Sequence, residues 1–374
     1  MFSLSRLRTL ILGCALFVTL VSAGSSRGQG MGSNDVEFKT FDGVKLSGKL
    51  YAGVGGKGKP DATVLLIPNF DLKKGGGIQQ EGYDTLAKGL QSEGYTVLSF
   101  DFRGFGDSKT VDPVVFWKQN HNLTNVKSKR VGGKLAAAID HKDFITNYVQ
   151  YFVNDIAAAK AFLDQENDNK SCNSSNVVVI GAGYGATLGA MWVANECRRR
   201  KDLAILVGVP MLGDIEAEDI AGAVWLSLQP SLPGGKNVPL TKWIVEGGRA
   251  NKIPMAFIHG KNDSVAGKVA ANMSEAIKGK GGKPKDFEFT GAKVIDETKL
   301  VGNQLLQPAL GTQTWILEKY LAPVMAKRTM KRRTDRKVEM SRFYYTRPTG
   351  AIIRVNKPAG AKVPSVDTAL MLSP

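Results

Sequence analysis

The stretch that decides the fold is residues 176–189, which read N-V-V-V-I-G-A-G-Y-G-A-T-L-G. Its first five residues predict a buried strand, and the glycines that follow predict a sharp turn into a helix. Two motifs compete for this turn. One is G-x-S-x-G, in which a nucleophilic serine stands on the turn, and here the serine position holds Gly183. The other is the dinucleotide fingerprint G-x-G-x-x-A, formed by Gly181, Gly183 and Ala186.

Length and composition indicate a globular protein of one large or two medium domains, with 374 residues, 43% of them hydrophobic and 22% charged. The N-terminus differs, because two arginines precede a mostly apolar run over 9–21 and Val21-Ser22-Ala23 fits a cleavage site. We therefore predict a signal peptide at 1–23, a linker at 24–34 and an exported protein, which is periplasmic, envelope-bound or secreted. The apolar run is shorter than the ~20 residues that span a bilayer, so no transmembrane span is expected after its removal.

Removal of the signal peptide would leave two cysteines, Cys172 and Cys197. In an exported protein such a pair either forms a disulfide or stays as two free thiols, and the sequence leaves both alternatives open. The three histidines and the cysteines lack the spacing of metal ligands, so we expect no metal site.

The middle of the chain predicts a mostly parallel sheet with helices on both faces. Alternating residues over 36–41 and 44–51 flank Asp42-Gly43, which is typical of a hairpin. Further along, continuous apolar runs alternate with helical periodicity, as in strands that are covered on both faces. We expect strands at 62–68, 95–100, 177–181, 203–209 and 253–259, and helices at 83–90 and 149–163.

Two segments interrupt this alternation, and we expect both to lie outside the sheet. Residues 110–144 form an insertion without a clean period, which holds His121 and His141. Residues 212–251 hold two tryptophans between turns rich in proline and glycine, which predicts a small cap over a ligand crevice.

The order of these pieces resembles the α/β-hydrolase superfamily, in particular its secreted esterase and serine-aminopeptidase-like branch. The most specific local match is D-F-R-G-F-G-D-S at 101–108, which in that family is a tight turn after the fourth strand. The resemblance also includes Gly260-Lys261-Asn262-Asp263 and covers residues 35–322. It implies one α/β-hydrolase domain, with a doubly wound, mostly parallel sheet, helices on both faces and a small cap.

The same resemblance implies that most of the catalytic parts are missing. The nucleophile position is Gly183, and glycine has no side chain that could form an acyl-enzyme. The family's histidine follows the last strand, here in 291–299, and no histidine occurs after His259. Asp263 matches the triad acid, although we favour a loop or helix-cap role for it. Gly183 and Asp263 are thus expected to be vestigial triad positions.

The oxyanion hole of the family also has a counterpart here. A His-Gly pair follows the third strand in the family, whereas this chain has Pro68-Asn69-Phe70. Backbone N–H groups need no particular side chain, so those of Phe70 and Tyr184 are expected to point at one spot.

The dinucleotide fingerprint is the lesser alternative. It needs an Asp or Glu about 20 residues further on, at the end of the next strand. The strand expected at 203–209 ends without an acid, and the glycine unit follows strands in hydrolase order. We therefore expect no cofactor.

The C-terminal extension, residues 323–374, holds 12 Lys or Arg against 3 Asp or Glu, a net +9 of the chain's +16. Such a tail is typical of a solvated arm or of a surface that binds polyanions. For an exported chain we expect an anionic envelope or matrix polymer as partner rather than nucleic acid. The candidate residues are Lys327, Arg328, Lys331, Arg332, Arg333, Arg336 and Lys337.

Three hypotheses follow from the sequence. The first is a non-catalytic exported scaffold that binds a small ligand in its crevice or a polymer through its tail. The second is an active serine-hydrolase-like esterase or peptidase with a non-standard nucleophile and base, for example a hydroxyl of the insertion with His121 or His141. The third is a nucleotide-cofactor binder that uses 181–186.

Overall fold

The sheet begins with an alternating hairpin and continues with central strands that are mostly apolar and buried. The computed structural model describes residues 32–54, 58–199, 203–206, 209–212, 215–279, 287–296, 298–328, 344–346 and 352–354. All the described residues belong to one compact unit. The strands of the main sheet are β1 Ser33–Lys39, β2 Lys45–Tyr51, β3 Thr63–Ile67, β4 Thr96–Phe100, β5 Val177–Ala182, β6 Ile220–Leu226, β7 Met255–Gly260 and β8 Gly291–Ile295.

These eight strands lie in the order β1-β2-β4-β3-β5-β6-β7-β8. Strand β2 runs antiparallel to β1 and β4, and every other neighbouring pair is parallel. A mostly parallel sheet whose second strand is reversed, with helices on both faces, matches the expectation from the sequence. The chain has the α/β-hydrolase fold.

Helices cover both faces because successive residues of each central strand point to opposite sides. Val64 and Leu66 of β3 join one buried cluster, while Leu65 and Ile67 join the other. The first cluster packs against the helices at 83–92 and 312–327 and the second against the remaining long helices. The helices are α1 Tyr83–Ser92, α2 Pro113–Phe116, α3 Asn120–Asn125, α4 Val153–Asp168, α5 Gly183–Glu196, α6 Leu240–Val245, α7 Ser264–Lys278, and α8, which joins Thr312–Thr314, the π-helical Trp315–Leu321 and Ala322–Lys327.

The sixth strand differs from the prediction. The sheet strand after α5 is Ile220–Leu226, whereas Leu203–Leu206 pairs only with Val209–Leu212 in a separate two-stranded sheet. Both segments are apolar. Residues 220–226 occupy the place between β5 and β7, where Trp225 is fully buried. The cap expected at 212–251 is therefore smaller and begins after this strand.

The end of the domain also differs from the prediction. Helix α8 continues past residue 322, and Val324 and Met325 are buried in the core. The expected boundary at 322/323 thus cuts a core helix. The signal peptide predicted at 1–23 lies outside the described residues. Most of the basic extension does too, and within it Tyr344–Thr346 and Ile352–Arg354 form an antiparallel pair. In the part of the chain that is described, no helix has the length and apolarity needed to cross a membrane.

Candidate functional site

The glycine turn of residues 181–185 lies at the carboxyl end of β5, where open α/β sheets form their ligand crevices. Gly183 opens helix α5 with a φ of +54°, a conformation that side chains other than glycine rarely adopt. A Cβ atom added to Gly183 would lie 2.2 Å from Oδ1 and 2.6 Å from Cγ of Asn69. The backbone conformation therefore disfavours a side chain at this position, and the neighbouring carboxamide leaves no room for one in the present arrangement.

Two hydrogen bonds fix the position of Asn69 beside Gly183. It follows β3, and its backbone N–H donates to the buried Tyr83 hydroxyl at 2.7 Å. Its side-chain Oδ1 accepts the backbone N–H of Tyr184 at 3.2 Å. The Tyr184 N–H, expected to point at an oxyanion-hole-like spot, thus already has an acceptor within the chain. Phe70, the other expected donor, lies in a short antiparallel pair with Gly76.

A third loop completes the contact around Asn69. Gly302 follows β8, the last strand, and a Cβ added to it would lie 3.2 Å from Asn69 Nδ2 and 3.7 Å from the Gly183 nitrogen. The loops after β3, β5 and β8 therefore meet around one carboxamide. In the family that the sequence resembles, these three loops carry the oxyanion hole, the nucleophile and the histidine.

Asp263 lies at the end of β7 and caps helix α7. Its Oδ1 accepts the backbone N–H of Ala266 at 3.0 Å. Its Oδ2 is buried and has no hydrogen-bond partner among the described residues. Asp263 therefore has the helix-cap role that the sequence favoured, with one carboxylate oxygen left without a donor.

None of the three histidines meets this carboxylate, since no hydrogen bond joins an imidazole to Asp263 within the described ranges. His259 is buried in β7, where its Nδ1 lies 3.0 Å from the Gly260 oxygen. His121 stacks on Tyr151 with ring centroids 4.5 Å apart.

His141 differs from the other two histidines because one of its ring nitrogens is buried without a hydrogen-bond partner among the described residues. Its ring stacks on Phe105, with centroids 4.7 Å apart, and Nδ1 lies 3.2 Å from Asp140. Its buried Nε2 contacts no donor or acceptor in the part that the structure describes. Among the described residues no hydroxyl or thiol lies within hydrogen-bond reach of this nitrogen.

Gly181 and Gly185, the outer glycines of the turn, serve close packing. A Cβ on Gly185 would lie 2.1 Å from the Pro68 oxygen, and one on Gly181 would lie 2.8 Å from the Ala186 Cα. Helix α5 is thus pressed against the ends of β3 and β5. The next strand, β6, is followed by Ser227-Leu228-Gln229, so the acid that a ribose would require is missing there too.

The turn at 101–108 has a structural role, as the family resemblance implied. The Asp101 carboxylate accepts the backbone N–H groups of Ile78 at 2.8 Å and Asp107 at 3.4 Å, and burial raises its pKa. The Ser108 hydroxyl donates to the Asp101 carbonyl oxygen at 2.7 Å. These bonds hold the loop that follows β4 against the loop that follows β3.

Arg103, in the same turn, is fully buried between two carboxylates. Its guanidinium lies 2.7 Å from Asp42 and 2.7 Å from Asp155, and also donates to Tyr148. Burial alone would raise the pKa of Asp42, but the charge of Arg103 and a contact from His121 hold it well below its usual range. The cluster joins the β1–β2 turn, the insertion and α4 through a buried ionic network.

Cys172 and Cys197 are separate buried thiols, so of the two alternatives left by the sequence the structure has the unpaired one. Burial raises the pKa of both thiols, for Cys172 to about 12. Among the described residues no group of three or more His, Cys, Asp or Glu could hold a metal ion.

Two of the cations expected to bind polyanions are engaged by the domain itself. Arg328 donates to Asn176 at 2.9 Å, to the Ile220 oxygen at 3.1 Å and to the Glu218 oxygen at 2.7 Å. Lys327 is exposed, pairs with Glu288 and lies 5.1 Å above the Phe289 ring.

Arg328 therefore anchors the chain at the amino ends of β5 and β6, at the opposite end of the sheet from Gly183. Its guanidinium is not available to a polymer while these bonds hold. The remaining candidates lie outside the described residues; they are Lys331, Arg332, Arg333, Arg336 and Lys337.

Several solved structures are similar to this chain at low sequence identity. An esterase of Pyrococcus furiosus is 18% identical, with a TM-score of 0.49 over 79% of this chain and 92% of that chain. A serine hydrolase without a lid from Xanthomonas campestris is 12% identical, with a TM-score of 0.42 over 76% of this chain and 94% of that chain. Est1E from Butyrivibrio proteoclasticus is 11% identical, with a TM-score of 0.44 over 79% of this chain and 100% of that chain.

Sequence comparison gives a shorter match. Polyketide transferase claH of Penicillium crustosum is 33% identical over 73 residues, which are 20% of this chain and 22% of that protein. The chain thus spans about a fifth of the length of this curated relative. No family model matches the sequence. The fold assignment therefore rests on the strand order and directions.

The residues that the sequence did not single out for a role are Asn69 and Gly302. The sequence showed that Pro68-Asn69-Phe70 departs from the family pattern, but no local pattern tells where an asparagine side chain will point. Asn69 and Tyr184 are 115 positions apart, so their contact depends on the packing of two strand ends.

Proposed function

We propose that this protein is an exported, non-catalytic member of the α/β-hydrolase fold that acts as a binding scaffold. The observation that carries the proposal is the placement of Asn69. Its carboxamide fills the space that a nucleophile at position 183 would need, and its Oδ1 takes the Tyr184 N–H that would otherwise face an oxyanion.

The rest of the site supports the same interpretation. Acyl transfer by a serine-type mechanism requires a nucleophile, a base and an orienting acid in mutual contact. Gly183 supplies no nucleophile, and Gly302 faces it from the loop where the family has its histidine. Asp263 remains at the acid position without an imidazole to orient. On this proposal Gly183 and Asp263 are remnants of a triad, and their loss is coordinated.

No specific observation favours the other two hypotheses. An unusual esterase would need a nucleophile beside His141, whose Nε2 has no partner in the described part of the chain. A nucleotide-cofactor protein would need room over the 181–186 turn, which Asn69 fills.

An esterase panel with a serine-reactive probe tests the proposal. Purified full-length protein is assayed with p-nitrophenyl esters of short and medium acyl chains, before and after treatment with a fluorophosphonate. We expect no turnover above the heat-denatured protein and no labelling. Turnover that the probe abolishes would overturn the non-catalytic function, and mass spectrometry of the labelled peptide would then identify the nucleophile. The double variant Gly183→Ser/Asn69→Gly should label no better than wild type, because the base is still missing.

Two kinds of partner are proposed for the scaffold. One is an unidentified small ligand in the crevice, and the other is an anionic envelope or matrix polymer bound through the tail. Because Arg328 belongs to the domain, a truncation that tests the tail should begin after it. Deletion of 331–374 should lower the salt concentration at which the protein elutes from immobilised heparin. Equal elution of the truncated and full-length proteins would remove the tail from the proposal.

A further inference from the structure

The insertion carries a β-hairpin that projects from the domain. Arg130–Val131 pairs with Lys134–Leu135 through a two-residue turn formed by Gly132 and Gly133. Both glycines have positive φ, +57° and +80°, as in the turn that matches the natural twist of paired strands. A Cβ added to either glycine would meet nothing within 4 Å, so the turn stands in open space.

The base of this hairpin is fixed to the domain. The Trp117 indole N–H donates to the Ala136 oxygen at 2.8 Å, and the Ala136 N–H donates to the Lys129 oxygen at 2.9 Å. On the other strand the Ser128 hydroxyl donates to Asp143 at 2.7 Å. Trp117 and Ala136 are buried in the core. The turn is therefore presented in one orientation, which lowers the entropy cost of binding a partner.

Residues 127–134, the basic hairpin, combine exposed cations with an exposed apolar side chain. Val131 at its tip is 70% exposed, the largest value among the large hydrophobic residues of the described part. No Asp or Glu occurs between Pro113 and Ile139. None of the four cations of the hairpin pairs with a carboxylate within the described ranges; they are Lys127, Lys129, Arg130 and Lys134.

We propose that the basic hairpin binds the surface of an anionic lipid bilayer. The cations would contact the headgroup phosphates, and Val131 would enter the boundary between headgroups and acyl chains. The exposed valine favours a bilayer over a soluble polyanion, because a sulfated or phosphorylated polymer offers an apolar side chain no place to be buried. This inference is independent of the chemistry at Gly183 and of the tail, whose anchor Arg328 lies at the other end of the sheet.

Vesicle co-sedimentation of the full-length protein tests the proposal. The probes are vesicles of phosphatidylcholine alone and of phosphatidylcholine mixed with phosphatidylglycerol. Wild type should bind the mixed vesicles and release with salt. Replacing Lys127, Lys129 and Lys134 by Gln should lower the partition coefficient about 100-fold, since each cation near an anionic surface contributes roughly fivefold. Val131→Ser should lower it by about three- to tenfold, since it removes a partly buried apolar side chain.

Matched variants control for net charge and for general hydrophobicity. Lys242, Lys268 and Lys319 are exposed and lie outside the insertion, and their joint replacement by Gln changes the net charge equally. Val265, 52% exposed on α7, provides the matching Val→Ser variant. Both control proteins should bind mixed vesicles like wild type, and circular dichroism should show that all variants are folded.

Three results would overturn the proposal. The first is equal binding of wild type to neutral and mixed vesicles. The second is that the hairpin variants bind mixed vesicles as well as wild type does, whereas Gln substitution of Lys331, Arg332 and Arg333 in the tail abolishes vesicle binding. The third is loss of heparin binding in the lysine variant without any loss of vesicle binding, which would assign the hairpin to a soluble polyanion.

Discussion

Replacing Gly183 by alanine tests the steric argument on which the interpretation of the site depends. The smallest side chain introduces one Cβ atom, at a residue whose φ is +54° and at 2.2 Å from Asn69 Oδ1. We expect this variant to be destabilised for two separable reasons: the strained backbone conformation at residue 183 and the overlap of the new Cβ with Asn69.

The two contributions are of similar size. A left-handed conformation costs a residue other than glycine about 1–2 kcal/mol. Forcing an extra carbon into a filled space costs about 1–3 kcal/mol more, because Asn69 must move and give up the Tyr184 N–H. Gly183→Ala should therefore lower the free energy of unfolding by about 2–5 kcal/mol. Asn69→Ala alone should lower it by about 1–3 kcal/mol, because the Tyr184 donor loses its acceptor.

Urea denaturation followed by circular dichroism measures these differences, with Gly132→Ala as the matched control. Gly132 has nearly the same φ, +57°, but nothing lies within 4 Å of an added Cβ, so its variant reports the backbone cost alone. In the double variant Asn69→Ala/Gly183→Ala the loss should fall short of the sum by about 1–3 kcal/mol. A Gly183→Ala variant no less stable than Gly132→Ala, or strictly additive losses, would refute the proposed overlap.

Three further predictions concern the domain around the site. Asp42→Asn should lower the free energy of unfolding by about 3–5 kcal/mol at neutral pH, because it leaves the buried Arg103 guanidinium short of a partner. Because the pKa of Asp42 is lowered in the folded protein, this stabilisation is present above the unfolded-state pKa and is lost as the pH falls. In urea denaturation the difference between variant and wild type should therefore shrink below about pH 4, and a difference that stays constant would contradict the charge argument. Arg328→Gln should lower the free energy of unfolding by about 2–4 kcal/mol through three lost hydrogen bonds, whereas Lys327→Gln, next to it but exposed, should cost less than about 1 kcal/mol; equal costs would show that Arg328 is no anchor. Cys172 and Cys197 should resist Ellman's reagent in the native protein and react fully in urea, because both thiols are buried and unpaired; rapid native labelling would place at least one at the surface.

Much of the fold could be predicted from local patterns. The β1–β2 hairpin around Asp42-Gly43 and the continuous apolar strands β3, β4, β5 and β7 lie where periodicity placed them, because burial on one or both faces leaves a direct trace in the sequence.

The prediction of the sixth strand was wrong because two segments of the chain have the same pattern. Residues 203–209 and 220–226 are both apolar and of strand length, and periodicity alone does not say which of the two enters the sheet. The choice depends on the space between β5 and β7, which Trp225 fills. The predicted end of the domain, at residue 322, was wrong because the basic composition begins within a core helix. The change in charge therefore precedes the end of the packed domain.

Residue identities alone show that position 183 is a glycine and that no histidine follows His259. They do not show which groups surround position 183. The carboxamide of Asn69, the approach of Gly302 and the anchoring of Arg328 are contacts between distant segments, and only the packed strand ends bring them together.

The anchor at Arg328 has a consequence for how the protein could be arranged between partners. The extension leaves the domain at the amino ends of β5 and β6, while the insertion with its basic hairpin is attached at the carboxyl end of β4. A sheet strand of this kind is roughly 20 Å long, so the two attachment points lie about that far apart along the strand direction. A surface bound at one end of the sheet leaves the other end facing away from it. If both proposed binding surfaces are correct, the protein would bind its two partners at opposite ends of the sheet.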